Sequence, residues 1–190
     1  LNVLRVARAS FTSEAGDAVG PLDFALAAGE HRVLVCANGR EASIAARLCA
    51  AIVKPTLGRV YVADYDTRLQ PPQAKRLVGF VDVAGTVGDR HTFACEVAFR
   101  AEVWGLDVAA ARIRADETLA ALGEASDPYA RAVALALVPD VRLLVFDQPA
   151  HPRYRARIAE LRPQAAVLET RVAASLPRIV PPRDVATVPS

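Results

Sequence analysis

The residues whose types and spacing come nearest to chemistry lie between Cys36 and Ser43. A β-branched run, Val33-Leu34-Val35, ends in Cys36-Ala37-Asn38-Gly39-Arg40-Glu41-Ala42-Ser43, and an Ala-rich helical pattern follows at once. That is the layout of a phosphate-binding loop. Such a loop reads G-x-x-x-x-G-K-[ST]: its glycines let backbone N–H groups surround phosphates, and its Lys neutralises them. Here Cys36 stands at the first Gly, Glu41 at the second and Ala42 at the Lys. Asn38, Gly39 and Ser43 remain of the wider pattern. The layout survives where most of its chemistry is missing.

Other chemistry-bearing residues are scattered. Cys36, Cys49 and Cys95 are odd in number and form no Cys-x-x-Cys pair, so neither a zinc site nor a disulfide framework is indicated; buried thiols in a reducing compartment are expected. His31, His91 and His151 have no metal-ligand spacing, and no metal site is predicted. The chain has 190 residues, 53% of them hydrophobic, and a net charge of +2. That suits one globular domain and gives no electrostatic case for nucleic acid, because the arginines are spread along the chain without an aromatic-interleaved basic stripe. No apolar run approaches the ~18 residues of a membrane span. The opening Leu1-Asn2-Val3-Leu4-Arg5 lacks the apolar core of a signal peptide.

The elements that must position the loop follow from periodicity. Residues 2–11 alternate as a strand, 12–20 read as a turn, and 21–26 and 31–35 read as further strands. After Ser43, the spacing of Ile44, Leu48 and Ile52 predicts one helical face, closed by Lys54-Pro55-Thr56-Leu57-Gly58. Residues 59–64 alternate as an edge strand, Pro71-Pro72 marks a bend, and 77–83 read as a strand. Phe93, Val97 and Ala101 share a helical face closed by Trp104, which is read as a core or partner-facing aromatic. A second amphipathic helix over 108–122 carries Ile113, Leu119 and Leu122 inward. Residues 129–138 form an Ala/Leu helix, 142–147 a continuous apolar strand ending in Asp147, 154–161 a charged helix and 165–170 a last strand. The tail from Pro181 is Pro-rich. Strands alternating with helices indicate α/β with a mostly parallel sheet, and the early strands an antiparallel β lobe.

The order of these features resembles the ATP-binding domain of ABC transporters over about residues 1–175. Pro21-Leu22-Asp23-Phe24-Ala25-Leu26 with Gly29-Glu30 resembles that family's approach to its loop. Pro55-Thr56-Leu57-Gly58, Leu77-Val78-Gly79-Phe80-Val81, Trp104-Gly105-Leu106 and Leu143-Leu144-Val145-Phe146-Asp147-Gln148-Pro149 resemble later segments in the right order. The resemblance implies a P-loop NTPase-like fold in one domain, 1–180, with a helical subdomain at about 90–127 and a tail at 181–190. It also implies a vestigial nucleotide site at Asn38, Gly39 and Ser43, with Ser43 reaching Mg²⁺, Asp147 as the acid of Walker B, Gln148 beside it and Phe11 stacking on adenine. The departures fall on the chemistry. Ala42 replaces the phosphate-binding Lys and Glu41 adds negative charge beside phosphates. Val83 stands near the Q-loop Gln, and Gln148 stands at the catalytic Glu, where a neutral amide is no general base. Arg171 falls near the switch His, and the signature motif is not legible around Gly123-Glu124-Ala125-Ser126.

The expectation is therefore a subunit with no catalytic residue and no required cofactor, ATP and Mg²⁺ being disfavoured. Plainer roles for Ser43 (helix start), Asp147 (strand end) and Phe11 (core) outweigh nucleotide contacts, because Glu41 and Ala42 both oppose phosphate. Its partners would be another ABC-type ATPase subunit, in a homo- or heterodimer, and a membrane permease, at the cytoplasmic face of the membrane. Two alternatives compete. One is the ATP-binding but degenerate half of an asymmetric ATPase pair. The other is an active enzyme using Arg40 as surrogate cation, although Arg40 lies two positions early and points to solvent in the plainer reading.

Overall fold

The computed structural model describes residues 2–82, 90–123 and 126–173. Two four-stranded sheets share one helix. The first sheet is antiparallel. Its strands β1 (Asn2–Thr12) and β2 (Ala18–Ala27) are joined by a tight turn in which Ser13 N–H donates to the Asp17 carbonyl at 2.8 Å. That turn is shorter than the 12–20 stretch expected, because Val19 already pairs with Phe11. β1 also pairs with β4 (Leu57–Val62), which continues into the two-residue β5 (Tyr65–Asp66) through a turn whose Ala63 and Asp64 both have positive φ. Two left-handed residues are what a two-residue hairpin loop needs to match strand twist. With β5 outside it, β4 is not the edge strand that its alternation suggested; the order is β2-β1-β4-β5.

The second sheet is parallel, in the order β3-β8-β7-β6, with β3 (His31–Cys36), β6 (Val78–Val81), β7 (Leu143–Phe146) and β8 (Ala166–Val172). β7 is buried throughout, as expected of a continuous apolar run. The fold class predicted from sequence, a parallel sheet flanked by helices beside an antiparallel lobe, is the one found.

The shared helix is α1 (Gly39–Cys49), packed between the sheets. It buries Ala42, Ala45, Ala46, Leu48 and Cys49 in a cluster with Leu4, Val6, Leu26, Val60 and Val62 of the antiparallel sheet and with Leu143, Val145 and Leu168 of the parallel one. Small side chains on α1 allow backbones on both sides to approach. The helix begins at Gly39, four residues before Ser43, and ends at Cys49 with Ala50 as its cap. Ala51 then turns left-handed (φ 58°), and Ile52 N–H closes the end on the Arg47 carbonyl at 2.9 Å. Ile52 therefore leaves the face shared by Ile44 and Leu48 and is 46% exposed.

On the other face of the parallel sheet lie α3 (Arg90–Trp104), α4 (Val108–Leu122), α5 (Pro128–Ala136) and α6 (Pro152–Leu161). Phe93, Val97 and Ala101 are buried as their spacing predicts. On α4, Leu119 and Leu122 are buried but Ile113 is exposed. The inner face is set by Ala111, Ala115 and Thr118, and a residue two positions from Ala111 or Ala115 points away from it. Pro71-Pro72 opens a helix, α2 (Pro71–Arg76), where a bend was expected. Proline is tolerated in a first turn, whose N–H groups have no intrahelical partner. Cys36 and Cys49 are buried, but Cys95 is exposed, contrary to the expectation of three buried thiols. Val83, Glu124, Ala125 and the tail from Pro181 lie outside the described residues.

The Pro55-Thr56-Leu57-Gly58 segment has a clear local cause. β1 bulges at Arg8 (φ 44°), between its pairings at Ala7 and Ser10. Gly58 (φ 72°) packs against that bulge so closely that a Cβ would sit 2.1 Å from the Arg8 carbonyl oxygen. Both the dihedral and the contact demand glycine. Gly58→Ala is expected to destabilise the protein by more than about 2 kcal/mol in urea unfolding, combining left-handed strain with a backbone collision.

Candidate functional site

The parallel strands all end on one side, where α1 begins. Gly39, Ala42, Ser43 and Arg47 of α1 meet Asp82 after β6, Asp147, Gln148 and Pro149 after β7, and the end of β8 at Thr170–Val172, around a cleft of about 440 Å³. A crevice at the carboxyl ends of parallel strands is where open α/β sheets present their binding groups. The structure thus brings together four of the six residues singled out from sequence: Gly39, Ser43, Asp147 and Gln148. Arg171 also lines the cleft. Phe11 does not. It sits on β1 opposite Val19, half-buried against the cluster around α1.

Asn38 and Glu41 are turned onto their own loop. Asn38 caps α1, its Oδ1 accepting from the Glu41 N–H at 2.9 Å. Glu41 reaches back, its Oε2 accepting from the Ala37 N–H at 2.8 Å. This is a capping box shifted by one residue, since the returning carboxylate takes the N–H before the cap. Two N–H groups of the loop therefore hold side chains of the loop. A carboxylate also sits at the positive end of the α1 dipole, the position an anion would take. Gly39 is not forced by the backbone, since an added Cβ would meet nothing nearer than a Val172 methyl at 4.0 Å. Arg40 turns outward and pairs with Asp17 at 2.6 Å.

Ser43 and Asp147 are joined directly: Ser43 Oγ donates to Asp147 Oδ2 at 2.8 Å. Burial raises the Asp147 carboxyl above its ordinary range. The Ser43 hydroxyl opposes that rise, Asp82 adds to it and Arg47 opposes it. Arg47 stands 3.9 Å from Asp82. Arg47 and Asp82 were missed from sequence, yet both carried a signal. Arg47 lies one helical turn beyond Ser43, and Asp82 follows a strand as Asp147 does. Burial pushes the Cys36 thiol up to about 11, with Glu41 adding to the effect. A thiol so placed is neither thiolate nucleophile nor metal ligand at neutral pH. Among the described residues no three His, Cys, Asp or Glu side chains cluster to hold a metal.

The start of α5 is likewise self-satisfied. Asp127 caps it by accepting from Tyr129 N–H at 2.9 Å, and the same carboxylate accepts from Arg153 at 2.7 Å and from the Tyr154 hydroxyl.

No family model matches the chain, and no curated protein matches it by sequence. Its fold does have solved counterparts. CbiO1 of Clostridium perfringens, described as part of the ABC transporter complex CbiONQ, superposes with a TM-score of 0.68 at 17% identity, over 90% of this chain and 79% of that one. An ATP-binding subunit of an ABC transporter gives 0.67 at 16% identity, over 89% and 79%. The ATP-binding cassette MJ0796, described as a dimer in a post-hydrolysis state with ADP and Pi, gives 0.68 at 18% identity, over 88% and 87%. The chain has the fold of an ABC transporter ATP-binding subunit.

Asp147 provides a pH test. An acid whose pKa is raised in the folded state binds its proton more tightly there than in the unfolded chain. Its contribution to stability therefore falls as pH rises from the unfolded value through the folded one. Asp147→Asn keeps an acceptor for Ser43 and removes the buried charge. It is expected to melt higher than the parent at pH 7 and to lose that advantage as the pH falls through the raised folded value to about 3.9, read by thermal unfolding across the range.

Proposed function

We propose that this chain is a pseudo-ATPase: a catalytically inactive subunit with an ABC-type ATP-binding fold, serving a structural or regulatory role in a transporter-like membrane complex. The observation that carries this reading is Glu41. Its carboxylate sits on the Ala37 N–H, at the helix end where phosphates would need both donors and positive charge. Ala42, at the position where a phosphate-binding Lys would stand, is 5% exposed and packs into the core. These residues do not fit a triphosphate, because like charges would be forced together in a half-buried cleft. Gln148 supplies no general base beside Asp147.

In this reading the fold is kept for its surfaces. Ile52, Phe80 and Trp104 border a shallow cavity of 230 Å³ between the end of α1, β6, α3 and α5, and Phe99 and Val103 stand exposed along α3. Apolar side chains of that kind suit contact with a permease subunit or a second ATPase subunit. No described helix is long and apolar enough to cross a membrane, and in this reading the subunit attaches through a permease partner, peripherally at the cytoplasmic face.

One observation favours the second reading, an ATP-binding but degenerate half of an asymmetric pair: Ser43 and Asp147 still meet in the cleft, with Arg47 and Arg171 beside them. A thermal-shift titration with Mg-ATP and Mg-ADP separates the two. A pseudo-ATPase shows no shift at millimolar nucleotide, whereas a site filled to 100 Kd adds roughly 2.7 kcal/mol of stability. The double substitution Glu41→Gly with Ala42→Lys is expected to create a measurable Mg-ATP shift. Nucleotide binding and turnover by the parent protein would overturn the proposal.

A further inference from the structure

A second cavity, of about 320 Å³, lies on the opposite side of the parallel sheet from α1, between α6, the strands β7 and β8, and the start of the edge strand β3. Its walls are apolar, formed chiefly by Phe146, Ile158 and Val167. The ionisable side chains that line it are His31, Arg155 and Arg162, all of basic type. Two of them pair with a buried acid. Glu169, in the middle of β8, is fully buried and takes no part in the cleft at the other end of the sheet.

Burying a carboxylate is costly unless it is paired and hydrogen-bonded. Glu169 is both. Arg155 grips it bidentately, Nε to Oε1 and Nη2 to Oε2, each at 2.7 Å, and His31 Nε2 stands 3.0 Å from Oε1. The fork holds the Arg155 guanidinium in a fixed plane at the cavity wall, and among the described residues its hydrogen bonds run through Nε and Nη2, which leaves Nη1 for a ligand. Arg162 is less well served. Its Nη2 reaches the Leu137 carbonyl only at 3.5 Å, and its Nε is buried without a partner among the described residues. A buried donor left unpaired is costly, and a bound acceptor would relieve that cost.

We propose that this cavity binds a small apolar monocarboxylate. Its carboxylate is held by Arg162 and the free edge of Arg155, and its hydrocarbon part fills the space against Phe146, Ile158 and Val167. The charge selects the class. Basic groups alone line the apolar walls, so an amine is repelled and a neutral alcohol lacks the ion pair. The volume suits a chain of about six to eight carbons and is small for ligand pockets in general. The site is separate from the cleft at Ser43 and Asp147, so it does not depend on whether nucleotide binds there.

Isothermal calorimetry with octanoate, octylamine and octanol on the intact chain tests this. Octanoate is expected to bind saturably at one site, octanol at least tenfold more weakly or not at all, and octylamine not at all. Arg162→Gln should weaken octanoate about tenfold, the effect of losing one charge-assisted hydrogen bond. Ala159→Phe, which borders the cavity on α6 and changes no charge, should abolish binding while the protein still melts cooperatively. Octylamine binding as well as octanoate, no octanoate binding at about 5 mM, or parent-like affinity in either variant would each overturn the proposal.

Discussion

One helix serves two sheets, and nearly everything else follows from that arrangement. A helix wedged between two apolar layers needs an apolar girdle on two sides, and it must be thin enough for both layers to close on it. Ala42, Ala45 and Ala46 keep α1 thin, and Leu48 and Cys49 complete the cluster. A bulky or charged residue at Ala45 or Ala46 would have to be buried between the sheets. Ala42 is 5% exposed and fits the same packing as its neighbours, while also reaching the cleft at the helix start.

Wedging α1 also fixes where its N-terminus lies. The parallel strands end around it, so any polar residues at those ends converge on one cleft whether or not they make a working site. The helix end carries partial positive charge and N–H groups without intrahelical partners. In this chain both are answered internally, by Asn38 on the Glu41 N–H and by Glu41 on the Ala37 N–H. The start of α5 is treated in the same way by Asp127. Two helix ends that face outward in the fold are thus closed by their own side chains.

The order of elements was readable from periodicity because most strands are buried on one or both faces and must show it in their composition. The differences from the linear reading have local causes. Ile52 and Ile113 were placed inside by spacing, but a left-handed residue at Ala51 ends one helix early, and the packing of α4 selects Ala111 and Ala115 instead of the larger side chain. Pro71-Pro72 reads as a bend in sequence because proline marks both turns and first helical turns. β4 reads as an edge because a two-residue partner such as β5 leaves almost no pattern of its own. Arg47 and Asp82 escaped notice because neither belongs to a motif, although their spacing from known landmarks was in plain view.

Residue identity alone determined that Glu41 and Ala42 stand at the spacing where the G-x-x-x-x-G-K-[ST] pattern has its second glycine and its lysine, and that an acid would end the buried strand at Asp147. Those are facts of composition at fixed spacing, and no folding is needed to read them. Only the tertiary structure decided what the replacements do. The Glu41 carboxylate could have faced solvent; it folds onto Ala37 because an N–H at the end of a helix needs an acceptor. Ser43 and Asp147 lie 104 residues apart and meet at 2.8 Å because β7 and α1 pack side by side. The meeting of His31, Arg155 and Glu169 depends on three elements, β3, α6 and β8, and nothing in their spacing announces it. Side-chain partnerships across such distances are set by packing, which the linear pattern does not contain.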